Sequence, residues 1–116
     1  LKKLPVVING GFQTRDFVYV EDVVDVMLMS MKKIQKQKIF QVFNFGTGRS
    51  VKIDFLFKLI KKILGVNPKI IRRKLDKFDP KKSSGTYNKI YKYLNLKKYN
   101  CTKLENGLIK TIDSMK

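Results

Sequence analysis

Gly11-Phe12-Gln13-Thr14-Arg15-Asp16-Phe17-Val18-Tyr19-Val20-Glu21-Asp22-Val23-Val24 is the stretch on which the reading of this chain turns. A glycine turn comes first, then a lone arginine, then a β-branched and aromatic run, then two acids ahead of an apolar periodicity. Phe17-Val18-Tyr19-Val20 predicts a strand or extended piece. Glu21 and Asp22 stand where the first turn of a helix favours negative charge. Val23, Val24, Met27, Leu28 and Met31 follow at helical spacing, predicting a helix to about Lys33 with its methionines packed in the core. An arginine at a strand entry beside a glycine turn is well placed to grip a diphosphate with its planar fork. Asp16 could hold that arginine or its own backbone, and a plain surface Arg–Asp pair is the alternative that composition alone favours.

Outward from this stretch, strands and helices alternate. Pro5-Val6-Val7-Ile8 predicts a strand that ends at the Asn9-Gly10-Gly11 turn. Residues 39–45, Ile-Phe-Gln-Val-Phe-Asn-Phe, predict a buried strand, and Gly46-Thr47-Gly48 a tight turn after it. Ser50 to Ile53 adds an extended piece. Asp54 suits the N-cap of a helix carrying Phe55, Leu56, Leu59, Ile60, Ile63 and Leu64, with Gly65 as its stop. Lys69 to Arg73 predicts a further strand, 74–86 a loop, and 87–94 a short helix. Thr102 and Glu105 fit a capping box for a last helix. The alternation defines an α/β or α+β chain.

Composition narrows the chemistry. The 116 residues suffice for one small domain, and 43% of them are hydrophobic, enough for a core. No apolar run reaches the roughly 20 residues of a membrane span. No histidine is present, so zinc sites of the ordinary kind and Ser-His or Cys-His catalysis are excluded within the chain. Cys101 is the single cysteine, which fits a reducing, cytoplasmic setting. Lysine and arginine number 26 against 9 acids, for a net +17. Residues 1–60 carry +5 and residues 61–116 carry +12. Such a field attracts phosphates and polyanions, and it raises a nucleic-acid-binding module as an alternative function. Against that alternative, no helix-turn-helix, zinc or aromatic RNA-platform pattern is present.

Two motifs match cofactor chemistry only weakly. Gly46-Thr47-Gly48 follows a predicted strand as a dinucleotide turn should, but Val51 occupies the place of the third glycine and no carboxylate stands near Lys69. Tyr-x-x-x-Lys occurs at Tyr93/Lys97 and Tyr99/Lys103, and a chain with one lysine in about five residues produces such matches by chance.

The opening stretch resembles the Gly-x-Gln-x-Arg-Asp-Phe-x-Tyr-Val-x-Asp-Val-Val signature of the NAD-dependent sugar-nucleotide epimerase/dehydratase family, the extended short-chain dehydrogenase/reductases. Four later segments resemble that family in the same order. They are Val42-Phe43-Asn44-Phe45-Gly46-Thr47-Gly48, Ser50-Val51-Lys52-Ile53, Asn88-Lys89-Ile90 with Leu94-Asn95, and Leu104-Glu105-Asn106-Gly107-Leu108 with Thr111-Ile112. The resemblance implies that residues 1–116 are the C-terminal substrate-binding portion of a longer enzyme. Residues 39–45 would then join the Rossmann sheet of an N-terminal domain absent from this chain. That domain would hold NAD and the catalytic Tyr-x-x-x-Lys, and NAD would oxidise the sugar of a nucleoside diphosphate-sugar (NDP-sugar) at C4. On this reading the chain itself carries no catalytic, cofactor or metal residue and is inactive alone. Arg15 would bind the diphosphate, Arg73 a phosphate and Asp76 the ribose, with Arg72 and Asp79 as rivals for the last two places. Tyr19 and Asn44 would line or support the site. Asn9-Gly10-Gly11 departs from the family's Gly-Asp-Gly, and Leu75 from its glycine. Epimerase, dehydratase and reductase remain open, as do the sugar, a homodimer of the full-length enzyme, and a truncated gene product without activity.

Overall fold

A computed structural model describes residues 4–35, 40–84, 87–96 and 99–116. Its elements, in chain order, are β1 (Val6–Asn9), β2 (Thr14–Asp16), α1 (Val20–Ile34), β3 (Ser50–Lys52), α2 (Ile53–Leu64), β4 (Ile70–Arg73), β5 (Lys82–Ser83), α3 (Asn88–Leu94) and α4 (Leu104–Asp113). The chain is mixed α/β and divides into two compact units. One comprises residues 1–15 and 50–83, the other residues 16–49 and 84–116.

In the first unit β1 and β4 pair in parallel, with Val6 opposite Ile70 and Asn9 opposite Arg73. Parallel neighbours need a crossover, and α2 supplies it. A second, three-stranded sheet runs β3-β2-β5, and β2 pairs β5 in parallel with Arg15 opposite Ser83. Helix α2 stops at Gly65, whose left-handed backbone (φ 64°) returns its N–H to the helix. The N-cap of α2 is Lys52 without a side-chain cap, so Asp54 does not cap the helix. It lies in the first turn, where Arg72 takes its carboxylate.

The second unit packs α1 against α3 around Val26, Ile90 and Leu96, with Phe43, Phe45, Tyr91, Leu94 and Tyr99 closing over them. Asp22 is buried here at 5% exposure. Its carboxylate accepts from the Tyr99 hydroxyl at 3.1 Å, the Thr102 amide at 2.9 Å and the Thr102 hydroxyl at 3.0 Å. A buried charge needs such company. Thr102 is thereby drawn away from α4, whose N-cap is Lys103, and the expected capping box does not form.

Three other expectations are corrected. Of the strand or extended piece expected at 17–20, the ladder itself lies earlier, at Thr14–Asp16, where its partners are; Tyr19 is extended, and Val20 already opens α1. The strand expected at 39–45 is absent from residues 40–45, which run irregularly; Ile39 lies outside the described residues. A strand needs a neighbour for its backbone groups, and none pairs with 40–45 among the described residues; the sheet it is expected to join lies outside this chain. The methionine stripe of α1 is not core: Met27, Leu28 and Met31 are exposed, and Val26 is the buried residue of that helix segment.

The Tyr99 hydroxyl has its pKa pushed well above the ordinary phenol value, first by burial and then by its bond to the Asp22 carboxylate. The unfolded chain ionises this phenol near pH 10, whereas the folded chain keeps it protonated, so stability is intact below about pH 10 and falls as pH rises beyond it. Tyr99→Phe removes that contribution. In urea titrations the stability gap between wild type and Tyr99→Phe is expected to be about 1 kcal/mol at pH 7 and to narrow steadily above about pH 10.

Candidate functional site

The turn between β1 and β2 is built by one side chain. Gln13, 5% exposed, accepts the Gly11 amide at 2.6 Å and donates to the Asn9 carbonyl at 2.8 Å. Gly11 itself has φ 104°, and a Cβ there would stand 2.5 to 2.7 Å from the Asp54 carboxylate, so only glycine is accommodated. Asp54 in turn meets Arg72, its Oδ1 lying 3.0 Å from Nη2. The turn is thus tied to β4, where the Gly10 amide also donates to the Arg73 carbonyl at 2.9 Å.

Beside this turn, wholly within the first unit, is an open cavity of about 700 Å³. Its wall includes Gly10 and Phe12 from the turn and an almost continuous run from Arg72 to Lys81. Five cationic residues (Arg72, Arg73, Lys74, Lys77 and Lys81) line it together with two acids, Asp76 and Asp79. The Arg73 side chain is exposed at the end of β4. Asp76 accepts the Phe78 amide at 2.8 Å, and its carbonyl accepts the Asp79 amide at 3.1 Å, which closes a tight turn over 76–79. Asp79 pairs with Nη2 of Arg15. Nη1 of Arg15 donates to the Thr14 carbonyl at 2.8 Å.

Three of the expected residues therefore converge: Arg73 and Asp76 line one cavity, and Arg15 reaches its wall through Asp79. Of the rivals, Arg72 is held by Asp54, and Asp79 is the acid that meets Arg15. The structure adds Lys74, Lys77 and Lys81 to the cavity lining, residues to which the sequence analysis gives no site role. The clustering of 14 lysines and arginines in residues 61–103 is the available signal. Tyr19 and Asn44 belong to the second unit. Tyr19 lies 3.3 Å from the position of a Cβ on Gly107, with Lys110 over its ring at 5.1 Å. Asn44 is exposed on the irregular segment before the Gly46 turn.

Asp16 holds neither Arg15 nor its own backbone. Its carboxylate takes the Thr47 hydroxyl and, at 2.9 Å, the Gly48 amide. Gly48 has φ 73°, and the Tyr87 ring lies within 2.6 Å of where a Cβ would be. As a dinucleotide cradle this turn does not fit. A carboxylate already occupies the amide that a pyrophosphate would need, a tyrosine covers the glycine, and strand β3 follows in place of a helix N-terminus. Tyr99 of the second Tyr-x-x-x-Lys is committed to Asp22; Lys97 of the first lies outside the described residues.

Residues 1–46 match the model of the NAD dependent epimerase/dehydratase family. The UDP-glucose 4-epimerase of Lactobacillus helveticus is 32% identical over 59 residues, 51% of this chain and 18% of that protein. Among solved structures, the UDP-glucose 4-epimerase of Thermotoga maritima with UDP-glucose superposes with a TM-score of 0.80 at 35% identity, over 96% of this chain and 34% of that one. The UDP-glucuronic acid 4-epimerase of Bacillus cereus, in complex with UDP-glucuronic acid and NAD, has the same fold at a TM-score of 0.80 and 24% identity, over 99% of this chain and 37% of that one. In sequence and fold the chain is similar to members of the NAD-dependent epimerase/dehydratase family, and it spans about a third of the length of the solved structures it matches.

The Gln13 amide both donates and accepts, which no apolar or acidic side chain can do. Gln13→Leu leaves the Gly11 amide and the Asn9 carbonyl without their partner and is expected to cost about 2–3 kcal/mol. Thermal or urea unfolding checks it, and Gln13→Glu, which keeps the acceptor and loses the donor, should fall between the two.

Proposed function

We propose that the chain is the C-terminal, NDP-sugar-binding portion of an NAD-dependent sugar-nucleotide epimerase or dehydratase that works in the cytoplasm. The observation that carries this reading is the cationic cavity between the Asn9–Gly11 turn and the Arg72–Lys81 run, in a chain whose fold superposes on a UDP-glucose 4-epimerase. Arg73, with the lysines beside it, offers charge-assisted donors to phosphate oxygens. Asp76 offers its carboxylate to ribose hydroxyls, and Arg15, paired with Asp79, stands behind the wall as a second fork. Tyr19 and Asn44 take supporting places in the other unit. NAD, when bound, supplies hydride transfer at the sugar, and in this reading a Rossmann portion outside the chain holds it. A homodimer would likewise form through that portion.

The chain's share of the work is binding and orientation. A diphosphate gripped by two arginines from separate segments fixes one end of the substrate, which leaves the sugar to be presented elsewhere. Titration calorimetry with uridine diphosphate is expected to show binding that Arg73→Gln weakens about tenfold or more, the effect of one lost charged hydrogen bond. Uridine without phosphates should bind equally to both proteins. Equal diphosphate affinity for wild type and Arg73→Gln would refute the assignment, and binding of NAD to the chain alone would refute the division of labour.

A further inference from the structure

Both terminal nitrogens of Arg15 are engaged. Nη1 is anchored on the neighbouring Thr14 carbonyl, and Nη2 meets the Asp79 carboxylate 64 residues away. The pair is half-sheltered, with the side chains 23% and 39% exposed. Three features hold Asp79 in place. Strand β5 sets Ser83 opposite Arg15, the Asp76 turn fixes the Asp79 amide, and Pro80 disfavours helical backbone at Asp79. Asp79 also lines the cavity, among side chains that are mostly cationic. A phosphate group and a carboxylate ask the same of a guanidinium: N–H donors in one plane.

We propose that Asp79 is a built-in competitor for Arg15. Its carboxylate and a phosphate of an incoming nucleoside diphosphate are alternative partners of the same guanidinium nitrogen. This rests on the reading of the cavity as a diphosphate site. The exchange lowers the affinity for any anion and sets a charge threshold. A ligand with one negative charge gains little by displacing a carboxylate of equal charge. A diphosphate brings more charge and more acceptor oxygens, and the released Asp79 carboxylate finds lysines and arginines on the cavity wall. Asp79 therefore makes the site selective for diphosphates over single anions, and it keeps Arg15 oriented by an ion pair whose worth is small enough to be exchanged.

The test is titration calorimetry of the 116-residue chain with inorganic pyrophosphate. Wild type, Asp79→Asn, Arg15→Gln and the double variant are compared, each first matched to wild type by circular dichroism. Asp79→Asn should bind pyrophosphate about two- to fivefold more tightly, the worth of a half-exposed ion pair. In the Arg15→Gln background the same substitution should bring no gain. A gain that persists without Arg15 would mean general charge relief and overturn the proposal. So would an Asp79→Asn chain that binds pyrophosphate no more tightly than wild type, while wild-type binding leaves the diphosphate reading in place. If neither wild type nor Asp79→Asn binds pyrophosphate, the diphosphate reading falls and the competitor with it. Asp79→Ser, which also removes the charge, repeats the comparison should the amide disturb the 76–80 turn.

Discussion

The first unit depends on the bond pair made by the buried Gln13 amide. It stands in for backbone that the Asn9-Gly10-Gly11 turn lacks, accepting from Gly11 and donating to Asn9. With the turn closed, the Gly11 carbonyl is free to take the Asp54 amide at 2.9 Å, and the Gln13 carbonyl takes the Ile53 amide at 3.1 Å. Two of the N–H groups that open α2 are thereby satisfied without a side-chain cap. The Gly10 amide extends the β1–β4 ladder by one step, to the Arg73 carbonyl. One side chain thus sets where α2 begins and how far β4 runs beside the turn, and β4 is the element that delivers Arg72 and Arg73.

Strand β2 then follows at once, and its alternation separates two tasks. Arg15 and Asp16 are consecutive, so their side chains leave the strand on opposite faces. Arg15 meets Asp79, and Asp16 meets Thr47 and Gly48. Read as sequence, an Arg-Asp pair invites the inference that the two hold each other. The period of a strand forbids it. The same geometry settles what Gly46-Thr47-Gly48 does. It is a turn held by a carboxylate, with glycine required at 48 by positive φ and by the Tyr87 ring, so an anion-binding reading of its glycines is reversed in sign.

Local pattern was enough wherever one segment decides the outcome. Gly65 as a stop, the strand ending at Arg73, the helix from Asp54 onward and the short helix ending at Leu94 could all be read from spacing and turn residues. It failed where a distant partner decides. Thr102 fits a capping box by spacing, yet Asp22, 80 residues away, takes both its donors. Asp54 fits a cap by position, yet the β1–β2 turn takes the orphan amides and leaves its carboxylate for Arg72. Residues 40–45 have the composition of a strand, but composition provides no neighbouring ladder. Of the site, Arg15, Arg73 and Asp76 were legible as residue types in a recognisable order. Which acid faces Arg15 was not, because that depends on the β2–β5 register.

The charge of the chain takes on a different meaning beside this geometry. A net +17 spread evenly would repel itself and favour no particular ligand. Around the cavity, five cationic residues and two acids contribute to the lining, and each carboxylate has a defined local task. Asp76 holds the turn from which Asp79 extends, and Asp79 holds Arg15. The acids therefore order the cations as well as offset them. A long basic side chain loses rotamer freedom when it binds a phosphate, and one already held by a carboxylate has lost part of that freedom beforehand. The carboxylate that weakens the attraction of Arg15 for an anion is thus the group that fixes where its fork points, and orientation is gained at the expense of affinity.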